Sequence, residues 1–412
     1  MALNYIWVAF FLIAFVIALI KLIFFGDVDA FKVLVDAIFD SSKSSVMDIA
    51  LPLVGTMAFW LGIMKIGEKA GAINFLSRIV GPFFQRLFPE VPKDHPATGN
   101  MMMNFSANLL GLDNAATPLG LKAMASLQEL NPDKEKASNA QIMFSVLHAS
   151  GLTILPISII AQRAIMHSKD PADIFIPCII ATYVAALVGL IAVAIKQRIN
   201  LFDKVVISWL FGLTAFIAGI VVYFHYFLTH DQISQVSKVA SNLMLYLIPL
   251  IFIIGGVLKK VNVFEAFIEG AIGGFETAIK IIPYLVAMLV AIAIFRTSGA
   301  LTYVGLGFKW VFSHFNMDTR FTDVLPIALM RPLSAAGARA MMLDNMKIFG
   351  PDSFIGHLSS VLYGAADSIF YITALYFGSV GVKNTRYAIP ASLISDLAGV
   401  IAAIFVGYLF FG

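Results

Sequence analysis

Long apolar stretches alternate with short polar segments along the chain. The apolar stretches run to about twenty residues, the length at which an α-helix crosses the hydrocarbon core of a bilayer. The pattern predicts nine such spans, at residues 4–25, 46–64, 139–166, 174–196, 204–225, 239–259, 277–296, 354–380 and 387–411. We therefore expect an all-α polytopic membrane protein.

Four further segments carry charges on one helical face and apolar side chains on the other. They are residues 28–45, 67–88, 260–275 and 300–315. A helix with one wet face and one apolar face lies in the plane of the membrane interface rather than across it. The sequence therefore predicts interfacial amphipathic helices between the spans.

Two apolar stretches, 98–130 and 322–350, are interrupted by polar residues at their centres. Each contains two short helical pieces, and each piece is about half as long as a membrane span. Non-helical backbone at membrane depth persists only when it is buried in protein or lines a wet cavity. We interpret both stretches as re-entrant hairpins and expect their tips to be functional.

The chain also repeats itself. Residues 120–124 read Gly-Leu-Lys-Ala-Met, and residues 337–341 read Gly-Ala-Arg-Ala-Met, each within one of the hairpins. Two related halves with broken helices in corresponding places indicate the binding site of a secondary transporter. The predicted organisation is a first repeat at 1–203, a linker span and loop at 204–238, and a second repeat at 239–412.

Lysine and arginine in the short loops predict the orientation. They concentrate in loops 196–204, 259–260 and 383–386, which fall on one side of the membrane when the spans are counted. Basic loops stay in the cytoplasm, so we expect a bacterial cytoplasmic-membrane protein with a cytoplasmic N-terminus. The two hairpins then enter from opposite sides, and the halves are inverted repeats.

The hairpins carry polar residues and cations where a substrate would bind. Asp113 and Thr117 are good N-cap types, and a helix that starts near Asp113 aims free N–H groups at the hinge. Matching the repeats aligns Ser334 with Thr117 and Arg339 with Lys122. Cations and helix N-termini at the membrane centre suit an anionic or strongly polar group. The predicted substrate-binding residues are Asn104, Asn108, Asp113, Asn114, Thr117, Lys122, Ser150, Thr153, Arg331, Ser334, Arg339, Asp344 and Asn345.

A structural alternative exists for the charged hairpin residues. Charged side chains inside membranes pair with one another, which lowers the cost of burying them. Asp113 could pair in this way with Lys122, and Asp344 with Arg339.

The spans that follow the hairpins supply candidates for ion coupling. Asp367 lies mid-span, where a carboxylate is neutralised by an arginine, by sodium or by a proton, and only the last two couple transport to a gradient. Ser368 and His148 complete the predicted coupling site, although His148 fits a packing role equally well.

Composition narrows the function classes further. The chain is 59% hydrophobic and 13% charged, whereas soluble domains carry about 25% charged residues. Its net charge of +3 is spread over the loops, which argues against nucleic-acid binding. The single cysteine, Cys178, excludes an intrachain disulfide and argues against a cysteine metal cluster. No phosphate-binding loop or HExxH motif is present, so we expect no enzyme activity, no cofactor and no metal site.

Several long strings resemble a known family. Residues 104–124 with 127–132 resemble spore maturation protein A, and 331–334, 350–354 and 376–387 resemble spore maturation protein B. The resemblance covers nearly the whole chain, as an A–B fusion joined near 200–235. Both belong to the nucleoside-recognition or gate domain class, which is similar to parts of concentrative nucleoside transporters and ferrous-iron permeases. The hinge at 333–337, Leu-Ser-Ala-Ala-Gly, departs from the Ser-Gly-Ser-Gly-like hinge of the B type.

These observations favour one function and leave two alternatives open. The favoured function is a secondary transporter of a small polar or anionic solute, such as a nucleoside-like, amino-acid or dipeptide-like compound. It would work by alternating access and be driven by a proton or sodium gradient. The alternatives are an exporter of a lipid-linked or cell-envelope precursor, which needs a groove open to the bilayer, and a non-transporting scaffold for envelope or spore assembly, which needs no cavity. Homo-oligomerisation is left open.

Overall fold

The protein is built from α-helices. The structure, a computed structural model, describes residues 2–92, 95–109, 113–154, 156–227, 230–314, 318–365 and 367–412. Within these residues there is no strand beyond an isolated bridge between Lys136 and Asn384, which confirms the all-α prediction. In chain order the helices are α1 (Ala2–Phe25), α2 (Ala30–Ser44), α3 (Leu51–Ala70), α4 (Ala72–Leu87), α5 (Pro96–Leu109), α6 (Asp113–Leu130), α7 (Asn139–Ala149), α8 (Ile157–Ile165), α9 (Phe175–Gln197), α10 (Lys204–Phe227), α11 (His230–Leu258), α12 (Val263–Thr297), α13 (Ala300–Ser313), α14 (Leu325–Met330), α15 (Ala335–Phe349), α16 (Phe354–Gly364), α17 (Ile369–Ser379) and α18 (Ala388–Phe411).

Many of these helices are membrane-spanning in length and character. Among the described residues, six helical stretches are long and apolar enough to cross a bilayer, and α12 with α13, bent by 72°, makes a seventh. Nine spans were predicted. Three predicted spans do not pass as single spans. They are 139–166, which breaks between α7 and α8, 239–259, whose apolar part is Tyr246–Leu258, and 277–296, which passes only together with α13. The chain is thus a polytopic helical membrane protein.

Two predicted interfacial helices are not separate elements. Residues 30–44 run through a π-helical turn, Ser45–Ala50, into α3, and residues 263–275 form the first turns of α12. Neither junction contains a left-handed glycine that would end a helix. Pro52 follows the π turn in the first turn of α3, where a proline is tolerated, and a π turn shifts the apolar face without breaking the helix. By contrast, Gly71 adopts a φ of +89° and separates α3 from α4, as the polar pattern at 67–88 requires.

Two long helices, one from each half, pack against each other. Helices α3 and α12 run antiparallel, because Met57 contacts Gly274 and Leu61 contacts Gly270. A Cβ atom on Gly270 would lie 2.3 Å from the Leu61 carbonyl oxygen, so only glycine allows this approach. Antiparallel packing of one helix from each half agrees with an inverted repeat.

Helices α7 and α16 show the same correspondence in detail. Each has eleven residues and starts after a serine N-cap: Ser138 accepts the Gln141 backbone N–H, and Ser353 accepts that of Gly356. Each then ends at a non-helical break before α8 or α17. The two predicted spans 139–166 and 354–380 are therefore both broken helices, and they break at equivalent points.

The two halves exchange loop contacts reciprocally. The loop after α17 meets the loop before α7, where the Ala137 N–H donates to the Asn384 carbonyl at 2.9 Å. The loop after α8 meets the loop before α16, where the Lys169 N–H donates to the Asp352 carboxylate at 2.9 Å. These contacts join the halves at loops away from the hairpin tips.

Candidate functional site

A polar cavity of about 220 Å³ lies where the broken segments of both halves converge. The hairpin α5–α6 contributes Asn108 and Thr117, and the hairpin α14–α15 contributes Arg331 and Arg339. The breaks after α7 and α16 complete the wall, which also includes His148, Gly151, Thr153, Tyr363, Gly364 and Asp367. Described residues from both hairpins therefore line this one cavity.

Backbone hydrogen bonds hold the broken segments in place. Where a helix stops, its free N–H and C=O groups need other partners. The Ile154 N–H donates to the Leu109 carbonyl at 2.9 Å, and the equivalent Phe370 N–H donates to the Pro332 carbonyl at 3.2 Å. Each break is thus tied to the hairpin tip of its own half.

A third backbone bond crosses between the halves. The Asp367 N–H donates to the Ala149 carbonyl, the last residue of α7, at 2.9 Å. The break after α16 therefore satisfies the C-terminal end of α7.

Arg331 ties the second hairpin to the break after α16. Its Nε donates to the Tyr363 carbonyl at 2.8 Å, which satisfies a carbonyl at the C-terminal end of α16. Its Nη1 lies 3.4 Å from Ser368 Oγ and 3.6 Å from Asp367 Oδ1, and its guanidinium lies 4.5 Å from the Tyr363 ring centroid. Arg331 is buried, so its charge is balanced by protein groups on one side of the cavity.

Arg339 brings a second guanidinium to the same wall. Its Nε donates to the Tyr363 hydroxyl at 3.1 Å, and it is only half-buried. Arg331 and Arg339 therefore both contact Tyr363, one through the carbonyl and ring and the other through the hydroxyl. Among the described wall residues, the charged side chains are those of Arg331, Arg339 and Asp367.

The first half contributes a hydrogen-bond network around His148. The His148 Nδ1 lies 2.8 Å from the Asn108 amide nitrogen, 3.1 Å from Asn104 Oδ1 and 3.1 Å from the Tyr376 hydroxyl. Asn104 also donates to the Ala116 carbonyl at 2.6 Å, which fixes α5 against α6. The wall therefore offers a neutral polar surface opposite the arginines.

The predicted match between Lys122 and Arg339 is wrong in register. Helix α6 begins at residue 113 and α15 at residue 335, so Arg339 corresponds to Thr117, which shares its cavity, rather than to Lys122. Five residues turn an α-helix by about 140°, which points Lys122 away from Thr117. Lys122 is exposed and does not line the cavity. The repeated Gly-x-basic-Ala-Met string marks the hairpins but not equivalent positions in them.

Some other predicted binding residues also lie off the wall. Ser150 Oγ donates to a carbonyl of its own helix, and Ser334 accepts the Gly337 N–H as the N-cap of α15. Thr153 does line the cavity, with its hydroxyl bonded to the Gly151 carbonyl. The side chains of Asp113 and Asn114 lie outside the described part of the structure.

Asp344 and Asn345 bind a partner that the repeat pattern did not suggest. Arg296, near the end of α12, pairs with Asp344 at 2.6 Å and donates to Asn345 at 3.0 Å. Asn345 donates in turn to Ser359 of α16 at 3.0 Å. Both predicted binding residues thus bond α12 and α16 away from the polar cavity, and the alternative pair of Asp344 with Arg339 is replaced by one with Arg296.

A second charged cluster lies where the α8–α9 loop meets the start of α16. Arg163 is fully buried and donates to the Pro351 carbonyl at 2.8 Å, with carboxylates of Asp173 and Asp352 at 3.0 and 3.4 Å. His357 Nε2 lies 2.6 Å from Asp173. Two carboxylates and a histidine could hold a metal ion, but the Arg163 guanidinium already supplies a positive charge to both carboxylates.

The pKa of Asp352 reflects this cluster. Partial burial raises the pKa of the carboxyl, but hydrogen bonds from Ser168 and the Lys169 backbone N–H, together with the Arg163 charge, outweigh that effect. The pKa therefore lies below the ordinary aspartate value. Asp352 is a charged structural group that joins the two halves.

Comparison with known proteins places the chain in a family. The family described as "Gate: Nucleoside recognition" matches residues 50–166 and 278–383, just over half of the chain. The chain belongs to this nucleoside-recognition gate family. The two matched regions each contain one hairpin and the broken span that follows it. They include all the described residues that line the polar cavity except Cys178 and Thr182.

Two curated relatives from Bacillus subtilis (strain 168) match at high identity. Spore maturation protein B is 44% identical over 178 residues, which is 42% of this chain and 98% of that protein. Spore maturation protein A is 38% identical over 188 residues, which is 46% of this chain and 92% of that protein. The predicted similarity to both proteins is confirmed. No solved structure matches the chain.

Proposed function

We propose that this protein is a secondary transporter that binds a small polar or anionic solute in the polar cavity. The carrying observation is the convergence of two hairpin tips and two helix breaks on one polar space. Discontinuous helices at a repeat interface form the binding sites of many secondary transporters. The gate-family match to these same segments supports the proposal.

Size and charge indicate the solute class. A volume of 220 Å³ equals about seven water molecules at about 30 Å³ each, so the solute is small. The guanidinium groups of Arg331 and Arg339 favour a carboxylate or phosphate, with which arginine forms charge-assisted hydrogen bonds. The family description makes nucleoside-like compounds the first class to test, followed by amino acids and dipeptides.

Alternating access would use the contacts that link the two halves. The Asp367–Ala149 backbone bond links the two halves, and breaking it would separate the second half's broken span from α7. A proton or sodium gradient would drive the cycle, with Asp367 and His148 as the groups that face the cavity. Asp367 already lies 3.6 Å from Arg331, so coupling requires a state in which this pair opens.

The alternative of a non-transporting scaffold is weaker, because it requires paired charges and no cavity, whereas a polar cavity is present. The basic loops indicate the orientation in the membrane. From them we propose a cytoplasmic-membrane protein with its N-terminus in the cytoplasm. The exporter alternative depends on a second cavity, described below.

The experiment is uptake of labelled solutes into proteoliposomes that contain the purified protein. The panel is uridine, adenosine monophosphate, glutamate and dialanine, each with an imposed proton or sodium gradient. Arg339→Met is expected to reduce uptake of an anionic solute about 10- to 100-fold, because a hydrogen bond to a charged group contributes about 1.5–3 kcal/mol. Lys122→Met is the matched control, because it removes a cation from the other hairpin that lies off the wall, and it should transport normally. Equal uptake by the wild type and both variants, or an equal loss in both variants, would refute the assignment of the site.

A further inference from the structure

A second cavity of about 450 Å³ lies beside the polar one, and its walls are apolar. Helices α4, α5, α7, α9 and α10 enclose it with side chains such as Phe83, Phe105, Leu187 and Leu213. Side chains that remain exposed at the surface also line it: Ile79 at 42%, Ile154 at 41% and Phe216 at 66%. In a membrane protein, exposed apolar side chains of this kind face lipid tails, so this cavity opens towards the bilayer.

The two cavities share a wall that is one main chain thick. Along the break after α7, Gly151 and Thr153 line the polar cavity, and the alternating residues Leu152 and Ile154 line the apolar one. The hydrogen bond from the Ile154 N–H to the Leu109 carbonyl closes this wall. The segment after α7 therefore separates the polar cavity from the apolar one, and its successive residues line the two cavities alternately.

Neighbouring elements divide in the same way. On α5, Asn108 lines the polar cavity and Leu109 the apolar one. On α9, Thr182 faces the polar cavity and Ile179 faces the apolar one. Three separate segments thus present opposite faces to the two cavities, so the division is a property of the whole site.

We propose that the apolar cavity holds one hydrocarbon chain of an amphiphile whose anionic head group binds in the polar cavity. The proposal rests on the proposed function, because the head group uses the same arginine wall. It narrows the substrate class from small anions to membrane amphiphiles with a compact anionic head group.

The dimensions fit such a ligand. A volume of about 450 Å³ lies in the range of about 300–1,000 Å³ that is typical of ligand pockets. The apolar cavity is therefore large enough for one hydrocarbon chain. The head group would pass the shared wall where segment 151–154 meets Leu109, so the Ile154–Leu109 bond must open during entry.

Lipid tails are as apolar as the cavity wall, so the chain gains little by leaving the bilayer. Selectivity must then come from the head group, and the chain positions it. An anionic amphiphile should therefore occupy the apolar cavity in preference to a zwitterionic one with the same chain, by about tenfold for one charge-assisted contact.

The test is photolabelling in nanodiscs of phosphatidylcholine. The probes are phosphatidic acid and phosphatidylcholine that carry a diazirine in mid-chain, and labelled peptides are mapped by mass spectrometry. We expect phosphatidic acid to label the peptides that contain Phe105 and Leu187 about tenfold more than phosphatidylcholine. Ala186→Phe, which fills the apolar cavity, should abolish this labelling, whereas Ala192→Phe, further along α9 and off the lining, should not. Labels on the exposed face of α11 serve as the internal reference for bulk lipid.

Three results would overturn or separate the proposals. If both probes label the apolar cavity equally, and Arg339→Met does not change the labelling, the cavity holds bulk lipid. This result would refute the proposal of a specific anionic amphiphile. Absence of cavity labels, with Arg339-dependent binding of soluble glycerol phosphate retained, would refute the amphiphile and leave the proposed function standing. Absence of both would refute the proposed function itself.

Discussion

Replacing Arg163 with methionine should destabilise the protein strongly, because Arg163 is the centre of one of the two reciprocal loop contacts between the halves. The side chain is fully buried and serves Asp173, Asp352 and the Pro351 carbonyl. Removing one partner of a buried ion pair costs about 3–5 kcal/mol when the remaining charge stays buried. Here Asp173 is half-buried and Asp352 is exposed, so solvent lowers the cost of their unpaired charges. The Pro351 carbonyl also loses its donor, although the two losses do not add. We therefore expect a loss of about 2–3 kcal/mol.

The reciprocal contact between the halves supplies the control. Lys383 pairs with Glu135 there, but the two side chains are 75% and 69% exposed. Exposed pairs contribute about 0–1 kcal/mol, so Lys383→Met should leave stability nearly unchanged. The assay is unfolding of the detergent-solubilised protein in increasing dodecyl sulfate, followed by tryptophan fluorescence. Arg163→Lys should fall between the two, because it keeps the charge and loses the planar fork. A similar midpoint for Arg163→Met and Lys383→Met would refute the buried cluster as a structural tie.

Further predictions concern pH, coupling and topology. The pKa of Asp352 is lowered in the folded protein, so its ionised form stabilises the fold above the ordinary value near 3.9, and that stability is lost as pH falls through the lowered pKa. Asp352→Asn should therefore be less stable than the wild type at pH 7 and should lose less stability on acidification below about pH 4. Parallel stability profiles of the two proteins against pH would contradict this. If Asp367 couples an ion, Asp367→Asn should lose gradient-driven accumulation of the solute but keep solute counterflow. Loss of both activities would identify Asp367 as a structural partner of Arg331. Unchanged accumulation would remove Asp367 from the mechanism. Asn200→Cys should react with an impermeant maleimide only from the cytoplasmic side, and Lys169→Cys only from the outside. The background reaction of the native cysteine should be low, because Cys178 is buried. The reverse pattern would show that the topology is inverted.

The sequence predicted the hairpin breaks well because each has a local cause. Glycine, proline and N-cap residues favour helix ends, and these local signals located the hairpins at 98–130 and 322–350. The same residue types do not always end a helix, because Pro249 and Pro283 lie inside α11 and α12. The breaks after α7 and α16 fall inside segments that were predicted as spans. The equivalent serine caps at Ser138 and Ser353 are local in the same sense.

The pairing of side chains could not be predicted, because it depends on contacts between distant segments. Arg163 and Asp352 are 189 residues apart, and nothing in their neighbourhoods specifies that they meet. The register of Lys122 failed for a related reason: two similar strings locate two helices, but a five-residue shift turns the side chain by about 140°. Asp344 was predicted to bind the substrate. Its partner in the structure, Arg296, lies on another helix, and the sequence pattern could not match the two residues.

The measurement that tests the central claim most directly is the accessibility of the polar cavity from each side of the membrane. Thr117→Cys in a Cys178→Ala background places one thiol on the cavity wall. A small impermeant thiosulfonate should modify it from the cytoplasmic side and, in a separate population of the same vesicles, from the outside, and a transported solute should slow both reactions. Modification from one side only, unchanged by solute or gradient, would contradict alternating access through this cavity.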